Sequence, residues 1–170
     1  MTPRALGALI ALVVLAADQA AKLMLLARFG GAPAAPTPLA PFVDLALGWN
    51  RGISFSLFTQ ETALGRATLI GVTLAAIAAL GWWLATSRSR LAAAGLGAIV
   101  GGALGNALDR LTHGAVVDYL DLHAFGRHFF VFNLADAAIS LGVVLLAIDL
   151  VFGERPSEAR PAAAERPKGR

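Results

Sequence analysis

The chain has 170 residues, 57% of them apolar and only 15% charged, and its mean hydropathy is +0.68. That balance is typical of integral membrane proteins, and the lack of cysteine excludes disulfides, thiolate metal sites and a cysteine nucleophile while leaving the redox compartment open. The net charge of +3 is small and the basic residues gather at the ends of apolar runs and in the tail, so they read as orientation signals and no nucleic-acid partner is expected.

Four apolar runs predict four membrane helices, at 5–27, 67–85, 91–108 and 134–152. Each can cross a hydrocarbon core of roughly 30 Å at about 1.5 Å rise per residue. Asp18, Gln19 and Lys22 interrupt the first run and three more spans follow, so an uncleaved helix is expected there rather than a signal peptide. Beyond it, Gly30, Gly31, Pro33, Pro36, Pro38 and Pro41 favour extended or polyproline structure. Phe42–Trp49 reads as a strand, Asn50-Arg51-Gly52 as a turn and Ile53–Phe58 as a second apolar piece, which together predict a small hairpin or sheet resting on the membrane.

The third run carries Ala93, Gly97, Gly101 and Gly105 at intervals of four, a stripe that lets another helix backbone approach. Residues 110–133 then form a connection that holds Asp118 and a strand at His128–Phe132. The fold class is a mainly α membrane protein, four transmembrane helices with a small extracytoplasmic β-sheet or hairpin region. Residues 1–153 make one domain, and 154–170, rich in Pro, Ala, Glu and Arg, a disordered cytoplasmic tail. Arg4, the arginines Arg88 and Arg90 between the second and third runs, and the basic tail fall on one side of a four-span chain. The positive-inside rule puts both termini in the cytoplasm, with Trp82 and Trp83 in the aromatic belt of that face.

Ionisable groups inside a membrane are costly and mark functional sites by default. The aspartates that compete are Asp18, Asp44, Asp109, Asp118, Asp121, Asp136 and, more weakly, Asp149. Asp149 lies about 20 Å beyond Asp136 on the same helix and cannot share a proton with it. Asp18 and Lys22 have the i, i+4 spacing of an ion pair. Asp109 and Arg110 are adjacent and must find separate partners.

Asp118 and Asp136 have no local cation. For Asp136 two readings stand. It is a carboxylate in the first turn of the fourth helix with Asn133 as N-cap, or it is half of a pair with Asp118. The pair needs the 110–133 connection to fold back. Two carboxylates in a poorly solvated site share a proton, so one acts as base toward a water while the other donates to a substrate carbonyl. A Ser–Lys dyad would have to combine Lys22 with Ser54 or Ser56, and Asp18 keeps that lysine charged. His113, His123 and His128 lack a metal-binding spacing and no phosphate-binding glycine loop occurs, so neither metal nor cofactor is expected.

Five short motifs occur in order: Asp18-Gln19-Ala20-Ala21-Lys22, Asn50-Arg51-Gly52-Ile53-Ser54-Phe55, Gly101 to Arg110, Val116-Val117-Asp118-Tyr119 and Phe132-Asn133-Leu134-Ala135-Asp136. Together they resemble lipoprotein signal peptidase, the signal peptidase II type of bacterial membrane aspartic peptidase, over residues 1–153. The resemblance implies an enzyme of the bacterial inner membrane with its site near the extracytoplasmic face. It would meet diacylglyceryl-modified prolipoproteins among the membrane lipids and cleave just before the lipidated cysteine. It makes Asp118 and Asp136 the catalytic pair and Asn50, Gly52, Asn106, Arg110 and Asn133 the groups that bind substrate or support the site. Asp18, Gln19, Lys22 and Asp109 become structural polar residues. Ile53-Ser54 departs from the small residues that many relatives place after the glycine, and the tail matches nothing in the family core. A monomer is expected. The rival class is a non-enzymatic helix bundle that conducts protons or acts as a scaffold, but a proton path needs acids staggered across the bilayer and most of these sit near one face.

Overall fold

The computed structural model describes residues 1–32, 34–52 and 63–153. In chain order they form α1 (Pro3–Phe29), β1 (Ala34–Ala40), β2 (Val43–Asn50), α2 (Ala63–Thr86), α3 (Arg90–Thr112), β3 (Val116–Ala124), β4 (Arg127–Phe132) and α4 (Leu134–Phe152). All four helices contain stretches long and apolar enough to cross a membrane. The helices α1, α2 and α3 run slightly past the expected apolar runs, α4 coincides with its own, and polar residues cap three of the four starts. Thr2 caps α1 with Pro3 in its first turn, and Gly30 ends it at φ 64°, a left-handed conformation that glycine adopts without strain. Ser89 and Asn133 cap α3 and α4.

α3 is the central helix. In its most apolar stretch 72% of residues are buried inside the protein, against 11–17% for the other three. The glycine stripe explains how. A Cβ on Gly97 would strike the backbone of Gly7, and one on Gly101 would come 2.5 Å from the Ala11 carbonyl, so this face lies directly on α1. A second face carries Gly95 and Gly102, where a Cβ would come 2.7 and 2.5 Å from the carbonyls of Gly142 and Ala135 on α4. α2 packs less intimately, around Leu84, Ala93 and Leu96 with Leu80 and Leu146. The exposed apolar side chains of α1, α2 and α4, such as Leu12, Met24, Val72, Val144 and Leu150, suit contact with lipid rather than water.

The four strands form one antiparallel sheet in the order β1-β2-β3-β4, at the end of the bundle where α1 and α3 finish and α4 begins. Two expectations are corrected here. The proline-rich segment is not merely extended but pairs as β1, and this is tolerated because β1 is an edge strand, where a missing N–H need not break the ladder. Residues 116–124, expected as part of a connection, form the central strand β3. It pairs Gly48 with Asp118 and Asn50 with Val116 on one side, and Leu120 with Phe132 on the other. Strands near the expected Phe42–Trp49 and His128–Phe132 are present. Ile53–Phe58 and the 154–170 tail lie outside the described residues.

Candidate active site

The sheet-side halves of α1 and α3 are joined by a buried charge cluster. Lys22 Nζ lies 2.8 Å from Asp18 Oδ2 and 2.8 Å from Asp109 Oδ2, and all three side chains are almost fully buried. Gln19 Nε2 donates to Asp109 Oδ1 at 2.9 Å, and the Val117 N–H donates to Asp109 Oδ2 at 3.1 Å, which ties β3 to α3. The Asp18 carboxylate occupies the space a Cβ would need at Gly105, so that glycine is part of the cluster's fit. A buried charge cluster of this kind is held together by geometry and by its extra hydrogen bonds more than by net energy.

Lys22 also reaches the neighbouring amides. It donates to Asn106 Oδ1 at 3.0 Å, and because an ammonium only donates, this fixes which way the Asn106 amide faces. Asn106 Nδ2 then donates to Asp136 Oδ1 at 2.8 Å. Asn133, also fully buried, donates through Nδ2 to Asp118 Oδ1 at 2.7 Å, and shares its remaining donor capacity between Asn106 Oδ1 and the Val117 carbonyl. From the sheet, Asn50 Nδ2 donates to Asp118 Oδ2 at 3.0 Å, while its own Oδ1 accepts from the Gly52 N–H at 3.2 Å. Gly52 thereby orients Asn50, closing the Asn50-Arg51-Gly52 turn.

The start of α4 is pinned at every free donor. The Leu134 N–H donates to the Tyr119 hydroxyl, the Ala135 N–H to Asp18 Oδ1 and the Asp136 N–H to Asn133 Oδ1, at 3.2, 3.0 and 3.0 Å. Asp136 Oδ2 returns a contact by accepting from the Asn133 N–H at 3.2 Å, completing a capping box. The cap and the pair were alternatives in the sequence, and the structure shows that the cap does not exclude proximity to Asp118. Asp136 is an N-terminal cap-region residue, and Asn133 touches both carboxylates.

Burial raises the Asp118 carboxyl to about 6, and the charge of Asp136 adds to that effect, while the Asn50 and Asn133 donors oppose it. Burial also pushes Tyr119 up to about 12, so its hydroxyl stays neutral beside the α4 N-terminus. Arg110 Nη1 donates to the Asn106 carbonyl at 3.3 Å, and its guanidinium lies within electrostatic range of Asp136, Asp118 and Asp109. A polar cluster thus forms at the sheet end of the bundle, with two carboxylates near three asparagine amides and one guanidinium. Such a set can hold a water and a carbonyl while exchanging a proton.

The structure brings together Asn50, Asn106, Arg110, Asp118, Asn133 and Asp136, and places Asp18, Gln19, Lys22 and Asp109 directly behind them. Asp109 and Arg110 do find separate partners, as their adjacency requires. Among the described residues the other acids are engaged elsewhere: Asp44 with His123 at 3.0 Å, Asp121 with His128 at 2.7 Å, and Asp149 with the Ser89 hydroxyl. The role of Tyr119 as acceptor for α4 was not visible in the sequence, and neither was the link from Lys22 through Asn106 to Asp136.

A sequence model of the signal peptidase (SPase) II family matches residues 10–152. A lipoprotein signal peptidase of Methylobacterium sp. (strain 4-46) is 50% identical over 99% of this chain and 100% of its own length. That of Methylocella silvestris is 49% identical over 91% of each chain. A solved structure described as a bacterial membrane enzyme, 25% identical, superposes with a TM-score of 0.74 over 87% of this chain and 94% of that one. With the motifs on the expected helices and strands, and relatives of this identity along nearly the whole length, the chain belongs to the signal peptidase II family, whose members are membrane proteases.

Proposed function

We propose that this multi-pass bacterial membrane protein removes signal peptides from diacylglyceryl-modified prolipoproteins as an aspartic endopeptidase, cleaving before the lipidated cysteine. Asp118 and Asp136 are the catalytic pair. The observation that carries this reading is the difference in how the acids are held. The salt bridges among the described residues take up Asp18, Asp109, Asp44 and Asp121, whereas Asp118 and Asp136 are held by amides around the shared Asn133.

Asp136, at the start of α4 with donors on both oxygens, takes a proton from the attacking water. Asp118, desolvated and raised, carries the shared proton and gives it to the scissile carbonyl oxygen as the water oxygen bonds to the carbonyl carbon. Collapse of the tetrahedral intermediate breaks the C–N bond: one hydroxyl of the gem-diol returns its proton to Asp118 as the new carboxylic acid forms, and Asp136 gives its proton to the leaving amine. Arg110 and Asn50, at the open side, are placed to hold the substrate backbone. The cluster of Asp18, Gln19, Lys22 and Asp109 fixes the asparagines behind the pair. The arginine bias puts both termini in the cytoplasm and this end of the bundle at the extracytoplasmic face. A non-enzymatic proton path is not favoured, since among the described residues all the acids but Asp149 gather at the sheet end.

The test is cleavage of a lipidated peptide by purified protein. Asp118→Asn and Asp136→Asn each abolish turnover with the protein still folded, because an amide keeps the shape but cannot cycle a proton. Near-normal turnover in Asp118→Asn would overturn the two-aspartate mechanism.

A further inference from the structure

Two helix N-termini lie at the end of the bundle remote from the aspartates, and they differ. At α3 the capping Ser89 hydroxyl donates to Asp149 of α4, so a carboxylate already sits there. The first turn of α1 holds no acid. Beside it the α2–α3 turn bends around a cleft of about 360 Å³ whose walls include Thr2, Arg4, Thr86, Ser87 and Arg88 and, among the described residues, no acid. Among the described residues neither Arg4 nor Arg88 has a hydrogen-bond or salt-bridge partner for its side chain. Trp82 and Trp83, 74% and 50% exposed, stand one turn earlier on α2. Indole rings in such a position mark the membrane–water interface, so the cleft opens at the headgroup layer.

We propose that this cleft binds the phosphate of an anionic phospholipid headgroup. Two guanidinium forks can grip phosphate oxygens from either side. The α1 N-terminus adds its positive end, and Thr2, whose oxygen accepts from the Ala5 N–H, keeps its own proton free to donate. The ammonium of a zwitterionic headgroup finds no acid in these walls. Phosphatidylglycerol therefore binds in preference to phosphatidylcholine, and its phosphate bridges the start of α1 to the α2–α3 turn.

The experiment is native mass spectrometry of the full chain in neutral detergent, titrated with either lipid. Phosphatidylglycerol should be retained at lower concentration than phosphatidylcholine. The double variant Arg4→Gln, Arg88→Gln should weaken phosphatidylglycerol binding about thirtyfold, as two basic residues near an anionic lipid would. Its unfolding temperature in lipid-free detergent should match the wild type, since both side chains are exposed. Arg90→Gln, at an exposed arginine that starts α3 outside the cleft, should bind normally. The proposal is overturned if Arg90→Gln costs as much as the double variant, since binding would then be diffuse surface charge. It is overturned equally if inorganic phosphate displaces the lipid at matching concentration, or if the lipid binds only after residues 154–170 are removed, which would make the tail the occupant.

Discussion

Replacing Lys22 with methionine keeps a similar volume but removes the only cation that touches Asp18 and Asp109 among the described residues. Both carboxylates are then left 0% and 2% exposed with only neutral donors, from Ala135, Gln19 and Val117. Breaking a buried ion pair in this way costs about 3–5 kcal/mol. For a chain of this size the cost corresponds to a fall of roughly 6–20 °C in Tm. The assay is thermal unfolding of purified protein in detergent, followed by intrinsic tryptophan fluorescence. The triple variant Asp18→Asn, Lys22→Met, Asp109→Asn removes the orphaned charges and should recover most of the loss, because a neutral buried set avoids the desolvation that the pair was offsetting. Turnover should not recover with it. Without Lys22 the Asn106 side-chain carbonyl keeps only the donor that Asn133 shares among three acceptors, so the bond Asn106 gives Asp136 is held less firmly. A triple variant as unstable as Lys22→Met alone, or one with full activity, would refute the reasoning.

The pH profile tests Asp118. It must be protonated to donate, so kcat/KM should fall as pH rises through about 6, and an inflection near 3.8 instead would exclude it as the proton carrier. Gly97→Ala should destabilise by roughly 1–3 kcal/mol through overpacking against Gly7, whereas Gly71→Ala, which faces open space, should gain up to about 1 kcal/mol from helix propensity; equal effects in thermal unfolding would contradict the packing. Reporter fusions active only outside the cytoplasm should work after Arg51 or Gly126 and fail at Ser89 or Arg170, and the reverse pattern would invert the orientation.

The helices were legible because a membrane span is written as length and apolarity, and the stripe at Gly97, Gly101 and Gly105 announced a close helix neighbour without saying which. The identity of that neighbour, α1, depends on Gly7 and Ala11, small residues that look unremarkable inside an apolar run. β3 was obscured by its own chemistry. Val116, Val117 and Tyr119 favour a strand, but Asp118, Asp121 and His123 made the segment read as a polar connection. The Asp18–Lys22 pair could be read from its spacing because both partners sit on one helix. Its extension to Asp109, and the bond from Asp18 to Ala135 across 117 positions, join residues that sequence spacing cannot bring together.

That last bond also sets an order of events. A ribosome delivers α1 first and α4 last, so Asp18 must wait for the Ala135 N–H until nearly the whole chain has been made. Meanwhile Lys22, on the same helix, already neutralises it, which lets the first span enter the membrane without a lone charge. The bonds that Asn106 and Asn133 make to Asp136 also come last, so the polar cluster at the sheet end closes only once the fourth helix is in place.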